Sequence, residues 1–223
     1  MIIVVIFFFY YYILHTNYSF NILALNSVHH IMQYLPECQL ILNKLKNELP
    51  VNLYYHSIDH TLDVYHCAES IGKEEGISDA DMKLLLVAAI YHDAGYLEQY
   101  HNHEQISCDI ARKYLQQFNY VQNDIDIICE IITATKVPQR PKTHLEKVIC
   151  DADLNYLGRT DFFSIGDSLY REMLAIGYIK NKAEWNRVQL DFMQQHHYFT
   201  PSAIKHNNLQ KGKNIILVRS KIK

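Results

Sequence analysis

The stretch MKLLLVAAIYHD, Met82–Asp93, decides the fold: after Lys83 it is apolar without interruption until a histidine and an aspartate close it. A helix that is apolar on every side is a buried one, so this stretch is expected to be the central helix of a helical domain. Ser78 or Asp79 can cap its start, and Gly95 follows its end. Burying His92 and Asp93 there costs free energy unless each finds a partner or gives up its charge. A metal ion removes that difficulty, because neutral imidazole offers a nitrogen and carboxylate an oxygen, and a chain break at Gly95 lets two adjacent side chains turn toward one ion.

On either side of this helix the pattern stays helical. CQLILNKLKNEL carries apolar residues at helical spacing, and the period resumes from about Asp59 to Glu75 before Gly76 breaks it. Further helices are expected at roughly Gln105–Phe118, Asn123–Thr135, His144–Leu157, Asp161–Ala175 and Lys182–Gln195. No alternating strand run, glycine-rich phosphate loop or repeat is visible, and only NIILVRS, Asn214–Ser220, reads as a short strand. The expected architecture is an all-α, single-domain helical bundle over residues 32–200. A hydrophobic extension, residues 1–31, precedes it, and a basic tail, residues 201–223, follows.

The composition excludes several classes of function. A chain of 223 residues can bury a substantial core, and a net charge of −3 gives no general electrostatic reason to expect nucleic acid as a partner. The five cysteines lie far apart with no Cys-x-x-Cys pair, which argues against a zinc knuckle or a disulfide framework and for a reducing, cytoplasmic setting. The leader MIIVVIFFFYYYIL, residues 1–14, is short for a membrane span and lacks the charged start of a signal peptide. It reads as a membrane anchor, as an extension packed on the domain, or as translated sequence upstream of the true start.

Two more stretches place polar residues in the apolar frame. In YYHSIDHTLDVYHC, Tyr54–Cys67, residues His56, His60 and Asp63 recur at the spacing that stacks side chains on one helical face. They are either a polar surface stripe or ligands and a proton carrier converging on a metal. In ICDADLNYLGR, Asp151 and Asp153 share an otherwise apolar helix, where two carboxylates repel unless a cation holds them.

That order, His, then His-Asp, then Asp, resembles the HD superfamily of metal-dependent phosphohydrolases, through HTLDV at His60, LLVAAIYHDAGY, HEQIS at His103 and DADLNYLG, Asp151–Gly158. The resemblance implies His60, His92, Asp93 and Asp153 as ligands of one or two divalent ions, with Asp153 preferred to Asp151 for its ADLNYL context. The mixed nitrogen and oxygen set suits Mn, Fe, Co, Ni or Zn, with Mg less favoured. The opening stretch is also similar to the signature of the cyclic nucleotide phosphodiesterases. By that likeness His56 is the proton donor to the leaving oxygen, and Asp63 supports the ligands. Ser57 stands where that signature has asparagine, and HDAGY lacks the family's His-Pro-Gly, so cyclic nucleotide specificity does not carry over.

The implied reaction is hydrolysis of a small-molecule phosphate ester, of nucleotide type, by metal-activated water, with Asp93 able to bridge a second ion. An HD-fold diiron oxygenase and a non-catalytic nucleotide-binding module are the rival readings. Other residues keep two readings each. His103 and Glu104 form a second metal or phosphate site, or an exposed helix start. Asp151 supports the ligands or a second metal, or is solvated. Lys136 and Arg140 neutralise substrate phosphate, or are solvated loop charges. His196 and His197 are expected to cap or pack near the last helix.

Overall fold

The computed structural model describes residues 34–222, so the apolar leader and its suggested membrane contact lie outside the described residues. Among the described residues the chain is all-α, with no strand and no helix long and apolar enough to cross a membrane. The helices are α1 (Pro36–Glu48), α2 (Ile58–Glu74), α3 (Asp79–Tyr91), α4 (His103–Leu115), α5 (Gln122–Ala134), α6 (His144–Asp153), α7 (Phe162–Ala175), α8 (Lys182–Gln195) and α9 (Pro201–Ser220). Short 3-10 turns, Ala94–Leu97 and Asn155–Gly158, follow α3 and α6.

As expected from its uninterrupted apolar run, α3 is the centre of the bundle. Leu85 and Val87–Tyr91 are fully buried, and the helix packs against α1, α2 and α5. The Ser78 hydroxyl accepts from the Asp81 amide and caps its start. The Gly95 amide then donates to the Ser107 hydroxyl of α4, which in turn donates to the His92 carbonyl. A Cβ on Gly95 would lie 2.0 Å from the His103 carbonyl oxygen, so only glycine lets the turn after His92-Asp93 lie against the start of α4.

A second, smaller core forms where α7 and α8 meet the turn Asn155–Gly158, built on Tyr55, Tyr156, Leu157, Phe162 and Met193. The last segment departs from expectation. Asn214–Ser220 is not a strand but the end of the 20-residue α9, which packs on the turn Asn155–Gly158, on α8 and on α2. Its buried face is Asn207, Lys211, Asn214 and Val218, while Leu209 and Ile216 are 73% and 66% exposed. That inverted polarity hides the helix from a hydrophobic reading. The buried amides have partners that sequence cannot show: Asn214 donates to the carbonyls of Leu157 and Arg159.

Candidate metal centre

His60 in the first turn of α2, His92 and Asp93 at the end of α3, and Asp153 at the end of α6 converge on one point. His60 Nε2 lies 3.5 Å from Asp93 Oδ2 and 3.3 Å from Asp153 Oδ1; His92 Nε2 lies 3.3 Å and 3.8 Å from the same two oxygens. His60, His92 and Asp93 each offer one atom within 4.8 Å of the others, a spacing able to hold a metal ion. His92 Nδ1 donates to the Ala89 carbonyl at 2.8 Å, which fixes the ring and leaves Nε2 facing the cluster.

The chemistry of these atoms tests whether a metal fits. His60 Nε2, His92 Nε2 and Asp93 Oδ2 are buried and have no hydrogen-bond partner, which buried polar atoms rarely tolerate. All three face the same point, so one cation would satisfy them together. The electrostatics agree. Burial alone would lower His92, but the adjacent Asp93 carboxylate, with Asp153, outweighs it and raises His92 to about 9. Burial alone would raise Asp93, yet His92, His56 and His60 hold it well below the usual carboxylate range. An imidazole that keeps its proton only because carboxylates surround it is a place where a divalent cation can replace that proton.

His56 reaches this centre by an unexpected route. Helix α2 begins at Ile58 with Ser57 as its N-cap, so His56 precedes the helix and does not share its face with His60. Its ring stacks on Tyr96, 4.4 Å between centroids, and stands 6.0 Å from the His60 ring. Its Nδ1 pairs closely with Oε1 of Glu172, a fully buried residue of α7. Glu172 Oε2 also accepts from the Tyr55 and His56 amides at 2.9 and 3.1 Å. Burial would lower His56, but the bond to Glu172 and the charge of Asp93 raise it above the ordinary histidine value. Sequence reading missed Glu172. It lies 116 residues from His56, in a segment whose only signal is an acid inside an apolar helix.

The remaining candidates divide. His103 joins the centre: its Nε2 lies 3.5 Å from Asp93 Oδ1, and its ring also stacks on Tyr96, at 4.1 Å. Glu104 is buried beside it, with Oε1 3.7 Å from His103 Nε2. Asp63 is turned away, against expectation, because Arg159 Nη1 donates to both its oxygens at 2.7 Å. Asp151 is likewise not beside the ligands. Its oxygens accept from the Phe199 amide, the Thr200 amide and the Thr200 hydroxyl at 2.7 to 2.8 Å, which ties α6 to the start of α9. Lys136 is exposed, with Nζ 3.4 Å from Asn102 Oδ1. His196 and His197 pack near the end of α8, stacked on Phe192 and set edge-on to Phe199 respectively.

A helical bundle whose buried central helix ends in a His-Asp pair, met by a histidine and an aspartate from two flanking helices, is the architecture of an HD domain. Residues 57–154 match the family model for the HD domain. The fold is similar to the crystal structure of a predicted HD superfamily hydrolase from an uncultured Thermotogales bacterium, with TM-score 0.59 over 86% of this chain and 95% of that one, at 17% identity. No curated protein matches the chain. The chain therefore carries an HD domain over residues 57–154.

Proposed function

We propose that the chain is a metal-dependent phosphohydrolase that cleaves a small phosphate ester of nucleotide type. The observation that carries this reading is the convergence of three orphaned buried atoms, His60 Nε2, His92 Nε2 and Asp93 Oδ2, beside an imidazole anchored to Glu172. His60, His92, Asp93 and Asp153 would hold one or two divalent ions. When bound, such an ion supplies positive charge for phosphate oxygens and a water acidified enough to act at neutral pH.

The chain's own residues supply the proton work. Glu172 takes up His56 Nδ1, so Nε2 is the atom left to carry a transferable proton. The bond to Glu172 and the charge of Asp93 favour the protonated form of His56, the form a donor to a departing oxygen needs. Tyr96 stacks on both His56 and His103 and so helps to fix both rings. The oxygenase reading is the weaker one, since the enlarged ligand set that favours it includes Asp151, and both oxygens of Asp151 are committed to α9.

The test is phosphate release from a panel of nucleotides and cyclic nucleotides with Mn, Mg, Co and Ni in turn. Turnover with at least one metal, lost on chelation, is expected. A stoichiometric redox-active diiron centre with oxygen uptake and no ester cleavage would overturn the proposal.

A further inference from the structure

The loop between α5 and α6, residues 135–143, reads TKVPQRPKT and has two faces. Toward the metal centre, Gln139 Nε2 donates to the Cys150 carbonyl and to Asp153 Oδ2, both at 3.4 Å. On its other face the loop walls a cleft of about 850 Å³, whose opposite side is α5 with Arg112 of α4. None of His56, His60, His92, Asp93 and Asp153 lines that cleft.

The cleft gathers three cations of one short loop on one wall, while its Arg112 is held by Asp109. Lys136, Arg140 and Lys142 all line the cleft, and among the described residues none of their side chains has an ion-pair partner. Pro138 and Pro141 fix the backbone on either side of Arg140, so ordering these cations around an anion costs little further entropy. Facing them, Asp126 and Glu130 stand one helical turn apart on α5. Val137, 56% exposed, and Pro138 add an apolar patch.

We propose that this cleft binds a nucleotide-type phosphorylated small molecule at a site separate from the metal centre. A bare polyphosphate would meet the carboxylates of Asp126 and Glu130, and an organic cation would meet the loop. A molecule with phosphate at one end and hydrogen-bond donors at the other satisfies both walls: phosphate against Lys136, Arg140 and Lys142, base or sugar donors toward Asp126 and Glu130. The Val137-Pro138 patch offers a flat base an apolar surface. Since Gln139 belongs to the same loop, the occupied cleft and Asp153 are mechanically adjacent.

The experiment is calorimetric titration in chelator, using both metal-stripped wild type and the Asp93→Ala chain, so that binding at the metal centre contributes nothing. The probes are a panel of the common ribo- and deoxyribonucleoside mono- and triphosphates, inorganic tripolyphosphate and the free nucleosides. At least one nucleotide is expected to bind with one-to-one stoichiometry, about tenfold or more tighter than tripolyphosphate or its nucleoside. The Arg140→Gln, Lys142→Gln double variant should weaken it about tenfold or more. Both side chains are exposed, and an unchanged melting temperature would confirm that the variant is folded. Thr133→Trp, which fills the cleft from α5, should also abolish binding. Absence of saturable binding by every nucleotide, equal binding by the variants, or tripolyphosphate matching the nucleotides would overturn the assignment.

Discussion

Asp93 and Asp151 are both buried carboxylates at the ends of helices in one bundle, and the molecule treats them in opposite ways. Asp151 has every need met: three donors from Phe199 and Thr200 surround it, and burial, acting against those donors, raises its pKa. Asp93 Oδ2 has no donor at all, while imidazoles from α2, α3 and α4 stand around the carboxylate. A satisfied buried carboxylate is a structural fastening; an orphaned one facing other orphans is a place for a ligand. The two junctions, α6 with α9 and α2 with α3 and α6, thus differ in purpose although their composition is alike.

The strongest way to break this contrast is to exchange the consequences of the two residues. Asp93→Ala is expected to remove metal and activity together while the fold survives, since no hydrogen bond of the core ends on its Oδ2. Elemental analysis of the purified variant checks it, and full metal occupancy would defeat the assignment. Asp153→Ala should likewise lose metal, and lose more of it than Asp151→Ala.

Next in size is the proton donor. His56→Ala should keep metal and fold but slow turnover by about 10²- to 10⁴-fold, the usual contribution of a positioned acid or base. A nitrophenyl ester, whose leaving group departs without help, should suffer much less than an ester leaving as an alkoxide. Equal losses on both substrates would reject the acid role, and a metal-depleted variant would make His56 a ligand. Glu172→Gln should share the substrate dependence of the defect, because it keeps the shape but removes the charge that holds the proton on His56.

Asp151→Ala gives the reverse result. It strands three donors in a buried junction, so it should cost about 2–4 kcal/mol of stability with metal occupancy retained. Chemical denaturation and elemental analysis on the same preparation decide it, and loss of metal without loss of stability would reverse the roles of the two aspartates.

These contrasts mark what sequence could reveal. The central helix was legible because burial on all sides leaves an uninterrupted apolar run, and HD at its end was legible because such a pair is out of place there. His60 was singled out by the resemblance of HTLDV to the HD superfamily, not by helical period alone. What period could not give is contact across the fold: Arg159 claiming Asp63, Thr200 claiming Asp151 and Glu172 claiming His56 are separations of 96, 49 and 116 residues. The period also misled at His56, because α2 starts two residues after it. On α9 Asn207, Lys211 and Asn214 face in while Leu209 and Ile216 face out, so a pattern rule applied to NIILVRS pointed to a strand.

The smallest effect tests whether every orphan marks a ligand. His196 has both ring nitrogens buried without partners, yet it packs against Phe192 and Tyr198 and makes no ion pair with a carboxylate among the described residues, with Lys211 and His197 as its charged neighbours. Lys211 donates to the His196 carbonyl, so it adds positive charge beside the ring rather than a group that could hold a proton on it. Burial first, then Lys211 and His197, lower the His196 pKa from 6.5 to about 3. The unfolded chain therefore takes up a proton that the folded chain refuses, and the stability present above pH 6.5 drains away as pH falls toward 3. By pH 5 this amounts to about 2 kcal/mol at most. His196→Phe keeps the aromatic packing and removes the titrating group, so its stability relative to wild type should rise as pH is lowered from 7.5 to 5, while its metal occupancy stays the same. Parallel stability curves would mean that the folded protein accommodates a charged His196, and a fall in bound metal would place that histidine with the centre after all.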